Sequence, residues 1–205
     1  MSEQKYINTD IQLRDYTSTL VIPKGELSMF IGRSNSGKTR AAVIAAVTIM
    51  ANNEHKFEQC VFVTQDHSSE ALLTILSEYR PKGKNIGLWH VADGITSMEE
   101  FNDFVKRVIP TEEITKTLFV IDTSFHLDHI EPYKGATIIK TETVPVGGSM
   151  ESFFRLVILP FVVHIMSIQV TPDSRPKIMA EVRKDRWGAS NQGGMNELPE
   201  ADHKN

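Results

Sequence analysis

Short apolar runs and longer helical periods alternate along this chain. Residues 20–23 read as a short strand after a polar start, and the run 27–31 ends at a glycine, as a buried parallel strand does. From Lys38 to Ala51 nearly every residue is apolar or small, which predicts a helix covered on most sides. Asn52 and Asn53 end it, and residues 61–64 form the next strand. Ser68 or Ser69 caps a helix whose apolar positions are Ala71, Leu72, Ile75, Leu76 and Tyr79, ending before Pro81 and Gly83. Residues 86–91 read as strand. Ser97 with Glu100 forms a capping box for a helix presenting Met98, Phe101, Phe104, Val105 and Val108 on one face, closed by Pro110.

Beyond that point the pattern turns strand-rich. Residues 118–121 are a strand ending in Asp122, 136–139 a further β-rich run, 150–156 a short helix, and 161–170 and 177–182 two strands joined by a polar turn. The alternation predicts an α/β fold: a mainly parallel twisted sheet flanked by helices on both faces, finished by a C-terminal antiparallel hairpin. Residues 1–21 read as an N-terminal extension, 22–193 as one core, and 194–205 as a flexible tail.

Composition narrows the class. The chain has 205 residues, 40% hydrophobic and 23% charged, enough for one core and unlike a disordered or fibrous chain. The single cysteine, Cys60, forms no internal bridge and fits a reducing cytoplasm. A net charge of −4 gives no global attraction to nucleic acid, so any such contact needs a local patch or charges gathered by assembly. The most hydrophobic stretch, residues 153–170, is broken by Arg155, Pro160 and His164, so no membrane partner is expected.

One motif carries most of the chemistry. GRSNSGKT, comprising Gly32, Arg33, Ser34, Asn35, Ser36, Gly37, Lys38 and Thr39, fits G-x-x-x-x-G-K-[ST] in full, after a strand and at the start of a helix. Such a loop cradles phosphates with backbone N–H groups and the helix dipole; Lys38 adds a mobile charge, and the Thr39 hydroxyl suits Mg²⁺. Nucleoside triphosphate binding, with ATP and Mg²⁺ as cofactors, is the expectation. Asp122, which ends a hydrophobic strand 84 residues after Lys38, has the Walker B form and would hold Mg²⁺ through water.

The loop and its flanks, IPKGELSMFIGR, together with VFVTQDHSSEALL at residues 61–73, resemble the RecA-type ATPases, nearest to the replicative (DnaB-type) helicase, KaiC and RadA-like branch. The end of the chain, VVHIMSIQ and IMAEVRKDRWG, is similar to their terminal hairpin. Its compact size resembles RecA-like proteins of phages and mobile elements. The resemblance implies that Asp66 stands where the family has a glutamate general base, one methylene longer. It implies that Lys184 and Arg186, spaced K-x-R, reach into a neighbouring subunit's nucleotide, in a hexameric ring or a helical filament. It places the sensor strand at residues 137–142, with Glu142 as the matching residue and Thr141 as the alternative. The implied function is ATP hydrolysis at subunit interfaces coupled to DNA, single-stranded in particular, in recombination, annealing or helicase-type work. The alternative is a non-motor assembly switch or KaiC-like regulatory scaffold with slow hydrolysis.

Weaker signals have structural readings. His126, Asp128 and His129 lack a partner cluster for a metal, Trp187 is a packing residue, and Gly147 and Gly148 with Lys140 give little support for a DNA-contacting loop.

Overall fold

The computed structural model describes residues 6–15, 17–52, 55–125, 127, 133–144, 161–168 and 177–184. In chain order these form β1 (Tyr6–Leu13), β2 (Thr19–Pro23), β3 (Leu27–Gly32), α1 (Lys38–Ala51), β4 (Gln59–Thr64), α2 (Ser69–Tyr79), β5 (Leu88–Asp93) and α3 (Met98–Val108). A 3-10 turn (Thr111–Lys116) then leads to β6 (Thr117–Asp122), β7 (Thr137–Thr143), β8 (Phe161–Ile168) and β9 (Lys177–Lys184). All of these strands join one sheet in the order β2-β1-β9-β8-β3-β7-β6-β4-β5.

The run from β8 to β5 is parallel throughout. The expected hairpin is present, with β9 antiparallel to β8. β1 lies parallel to β9 and antiparallel to β2, extending the sheet on that side. β4 and β6 are buried at every position, which requires cover on both faces. Alternation along the strands supplies that cover. Phe62, Val120 and Ile139 face α1 and α2, whereas Val61, Val63, Phe119, Ile121 and Ile138 face Phe101 and Val105 of α3. In α1 the buried face carries Ala41, Ala42, Ala45 and Ala46, whose small side chains let the helix lie close to the sheet. α2 and α3 begin where their caps predict: Ser68 accepts from the Ala71 N–H and Ser97 from the Glu100 N–H, each at 3.2 Å.

Three elements differ from the sequence reading. The polar start contains β1, in which Ile7, Thr9, Ile11 and Leu13 are buried while Asn8 and Asp10 are exposed. A bulge between Asn8 and Gln12, with Asp10 at φ 59°, interrupts its pairing with β2. The strand read at residues 86–91 begins instead at Leu88, because Gly87 turns at φ +69°, and a Cβ there would lie 2.6 Å from the Glu58 carbonyl oxygen. The 3-10 turn before β6 was not foreseen. The expected helix at 150–156 and the tail after Gly193 lie outside the described residues, as do His126, Asp128, His129, Gly147, Gly148 and Trp187. Among the described residues, no helix is long and apolar enough to cross a membrane.

Burial of β1 against α1 makes it part of the core rather than an appendage. Ile11→Ala is therefore expected to lower the unfolding free energy by about 2–4 kcal/mol. Urea denaturation followed by circular dichroism checks this, and an unchanged midpoint would place β1 outside the cooperative unit.

Candidate functional site

The parallel strands end at one edge of the sheet, and their register sets what meets there. Thr64 pairs with Asp122, and Ile121 with Lys140, so Thr64, Asp122 and Thr141 stand at one level on three adjacent strands. The Asp122 carboxylate accepts from all three neighbours that can reach it. Thr39 Oγ1 of α1 donates to Oδ2 at 2.8 Å, Thr141 Oγ1 to Oδ1 at 2.5 Å, and Thr64 Oγ1 to Oδ2 at 3.5 Å. These contacts explain how an acidic group with 6% exposure is tolerated.

The loop from Gly32 to Gly37 leads from β3 into α1. Its turn is closed by the Ser36 N–H on the Arg33 carbonyl at 3.2 Å, with Asn35 (φ 61°) and Gly37 (φ 87°) left-handed. Gly32 is required by crowding: a Cβ would sit 2.3 Å from Ser36 Oγ and 2.7 Å from the Ile165 carbonyl oxygen. Lys38 Nζ donates to the Arg33 carbonyl at 2.9 Å, folding the side chain back along its own loop. Burial lowers the Lys38 pKa, while the charges of Asp122, Asp66 and Glu142 act in the opposite direction.

These groups border one cleft of about 680 Å³, lined by Ser34, Asn35, Gly37, Lys38, Thr39, Asp66, Asp122, Thr141 and Glu142 among others. Most of the sequence-derived candidates are thus brought together. Asp66 lines the cleft and does not cap α2; Ser68 does. The two sensor candidates have separate surroundings. Thr141 turns to Asp122, whereas Glu142 lies 3.3 Å from the Lys140 ammonium. Lys184 is not at its own chain's cleft. Because β9 runs antiparallel, Lys184 pairs with Val162 near the start of β8, while Ile178 at the other end of β9 lines the cleft. The side chain of Lys184 and all of Arg186 lie outside the described residues.

The structure adds residues that sequence reasoning passed over. Gln65 Oε1 accepts from the Ser124 N–H at 3.2 Å and the Ser124 hydroxyl at 2.7 Å, and the Gln65 N–H donates to the Asp122 carbonyl at 3.1 Å. The turn after Asp122 is thereby tied to the turn that carries Asp66. Lys140 follows Ile138 and Ile139 on β7 and is 2% exposed. Gln65 gave no signal in the sequence, since its partner is 59 positions away.

Thr39 and Asp122 offer hard oxygen donors at the helix N-terminus, a set that suits Mg²⁺ with most of its water shell retained. No protein-family model matches the sequence, and no curated protein is similar to it. Among solved structures, a KaiC-like protein from the hyperthermophilic archaeon Pyrococcus horikoshii OT3 superposes with a TM-score of 0.53. It is 18% identical, over 89% of this chain and 89% of that one. The fold is therefore RecA-like and KaiC-like, a mostly parallel sheet with flanking helices and an antiparallel hairpin.

Gly32→Ala tests the crowding at the loop, since neither the Ile165 backbone nor the turn can retreat cheaply. The expected cost is about 1–3 kcal/mol of stability, read as a lower denaturation midpoint; a neutral substitution would mean that the loop relaxes freely.

Proposed function

We propose that this chain is a RecA-type ATPase that binds Mg-ATP in the cleft and hydrolyses it at the seam between two copies, coupled to single-stranded DNA. The observation that carries the reading is the complete phosphate-loop motif folded between β3 and α1, with Thr39 Oγ1 2.8 Å from the Asp122 carboxylate. The loop's N–H groups and the start of α1 favour the β- and γ-phosphates. Lys38 leaves the Arg33 carbonyl to meet them. Three carboxylates border this cleft, so a bare triphosphate meets repulsion. Thr39 and Asp122 would hold the Mg²⁺, which when bound offsets that charge and polarises the terminal phosphoryl group.

In this reading Asp66 accepts a proton from the attacking water as its oxygen bonds to the terminal phosphorus. The bond to the ADP oxygen breaks, giving ADP and phosphate. Thr141, hydrogen-bonded to Asp122, and Glu142 sit where the terminal phosphate would lie. Lys184 and Arg186 act on the neighbour's nucleotide. The direction of β9 favours this, since it carries Lys184 away from the chain's own loop. A homo-oligomeric ring or filament follows from that arrangement.

One observation favours a second reading, a non-motor assembly switch or KaiC-like scaffold with slow hydrolysis. The cleft places an aspartate, and not a longer glutamate, at the position of the base. ATP turnover with and without single-stranded DNA separates the two. Stimulation of several-fold supports the coupled enzyme, and indifference the scaffold.

Further outcomes are specific. Chelating Mg²⁺ is expected to weaken ATP binding about tenfold or more, measured by calorimetry with and without EDTA. Lys38→Ala should lower turnover on the order of 10²–10³-fold. Arg186→Ala should abolish turnover while sparing ATP binding, and mixing it with Lys38→Ala subunits should restore part of the activity. Unchanged turnover in Arg186→Ala would refute the action in trans.

A further inference from the structure

Lys140 occupies an unusual place for a lysine. It sits on β7 between two parallel neighbours, paired with Met29 of β3 and Ile121 of β6, in the middle of the sheet. An apolar residue of similar volume would fill that position at no cost in buried charge. The ammonium has an acceptor for each of its three protons: the Thr123 carbonyl, the Thr141 carbonyl at 2.7 Å and Glu142 Oε2 at 3.3 Å. The Phe125 ring lies 6.0 Å from it.

All three acceptors belong to residues that line the cleft. Thr123 directly follows Asp122, and its carbonyl is held by Lys140 while Gln65 holds Ser124, so the turn after Asp122 is fixed from two sides. Glu142 lines the cleft beside Thr141, and its charge is felt at Lys38. Left alone, a carboxylate there would oppose a terminal phosphate. Pairing with a buried ammonium weakens its field toward the phosphate.

We propose that Lys140 is a positioning residue of the cleft: it cancels the charge of Glu142 and anchors the Thr123 carbonyl, so that the site accepts a nucleoside triphosphate in preference to a diphosphate. The inference rests on the reading of the cleft as a nucleotide site and adds the group that sets its selectivity for the third phosphate.

The test is the ratio of affinities for the β,γ-imido analogue of ATP and for ADP. It is measured by calorimetry with Mg²⁺ on the full chain and on Lys140→Met, Glu142→Gln and the double variant. Lys140→Met exposes the triphosphate to an unpaired carboxylate, and the ratio should fall about tenfold. Glu142→Gln leaves the ammonium uncancelled, and the ratio should rise several-fold. The double variant should return close to the parent. Glu142 is partly exposed, so Glu142→Gln keeps the test alive if Lys140→Met does not fold. A purely structural pair predicts equal losses for both nucleotides and no rescue by the double variant; that result, or a level ratio in every folded variant, overturns the inference. A parent chain that binds neither nucleotide overturns the reading of the cleft itself, a failure that the parent measurement alone identifies.

Discussion

The carboxylate of Asp122 is held by hydroxyls from three separate elements, and the rest of the cleft takes its geometry from that arrangement. Thr39 comes from the first turn of α1, Thr64 from the end of β4, and Thr141 from β7. A carboxylate at the end of a buried parallel strand would be costly without such donors. Satisfying it locks the start of the helix to two strand ends, which fixes where the phosphate loop sits. The sheet order makes this possible: β7 lies between the loop strand β3 and the Asp122 strand β6, so its side chains reach both.

Charge sets the second constraint. Lys38 shares the cleft with Asp66, Asp122 and Glu142, and its own burial lowers its pKa while those carboxylates offset part of that shift. A wall with this many acids is unsuited to a bare anion and well suited to an anion that arrives with a divalent cation. Lys140 alters the balance from behind the wall: its charge is withdrawn from solvent and directed at Glu142 and two backbone carbonyls. Burial lowers its pKa and Glu142 raises it again, so the pair is held together by the same low dielectric that makes either partner costly alone.

What could be read in the sequence follows the range of the interactions. The step from β3 through the loop to α1 is local, with motif, preceding strand and following helix adjacent in the chain, and it was legible in full. The same holds for α2 and α3, whose caps lie within three residues of the N–H groups they satisfy. β1 shows the period-2 pattern of a half-buried strand, with Ile7, Thr9, Ile11 and Leu13 alternating with Asn8, Asp10 and Gln12, but only three of those positions are strongly apolar, so the segment reads as a polar start. Gln65 and Lys140 were lost as site residues for a different reason. The contacts that tie them to the turn after Asp122 depend on the sheet order, with Ser124 59 positions from Gln65 and Thr123 17 from Lys140. Lys184 shows the opposite case: K-x-R spacing places two side chains on one face of a strand, but only the antiparallel course of β9 shows that this stretch leads away from its own cleft.

The passage from β6 to β7 shows how core and cleft are joined. Adjacent parallel strands need a crossover, normally a helix lying on the sheet, yet only 14 residues separate Asp122 from Thr137. Aromatic side chains at the two ends of this connection pack into the layer on the α3 side of the sheet. Phe125 at the start of the connection and Tyr133 near its end pack on Phe101 of α3, with ring centroids 6.2 and 5.4 Å away, and Tyr133 also meets Phe119 at 5.3 Å. The Tyr133 hydroxyl reaches Asn102 of α3 at 2.7 Å. The residues just before Phe125 are Thr123 and Ser124, held by Lys140 and Gln65 at the wall of the cleft. A shift at that wall is therefore passed along the chain to Phe125 and the aromatic cluster beneath α3. Held by Lys140 at Thr123 and by Gln65 at Ser124, this turn connects the cleft to the core through three consecutive residues, 123–125.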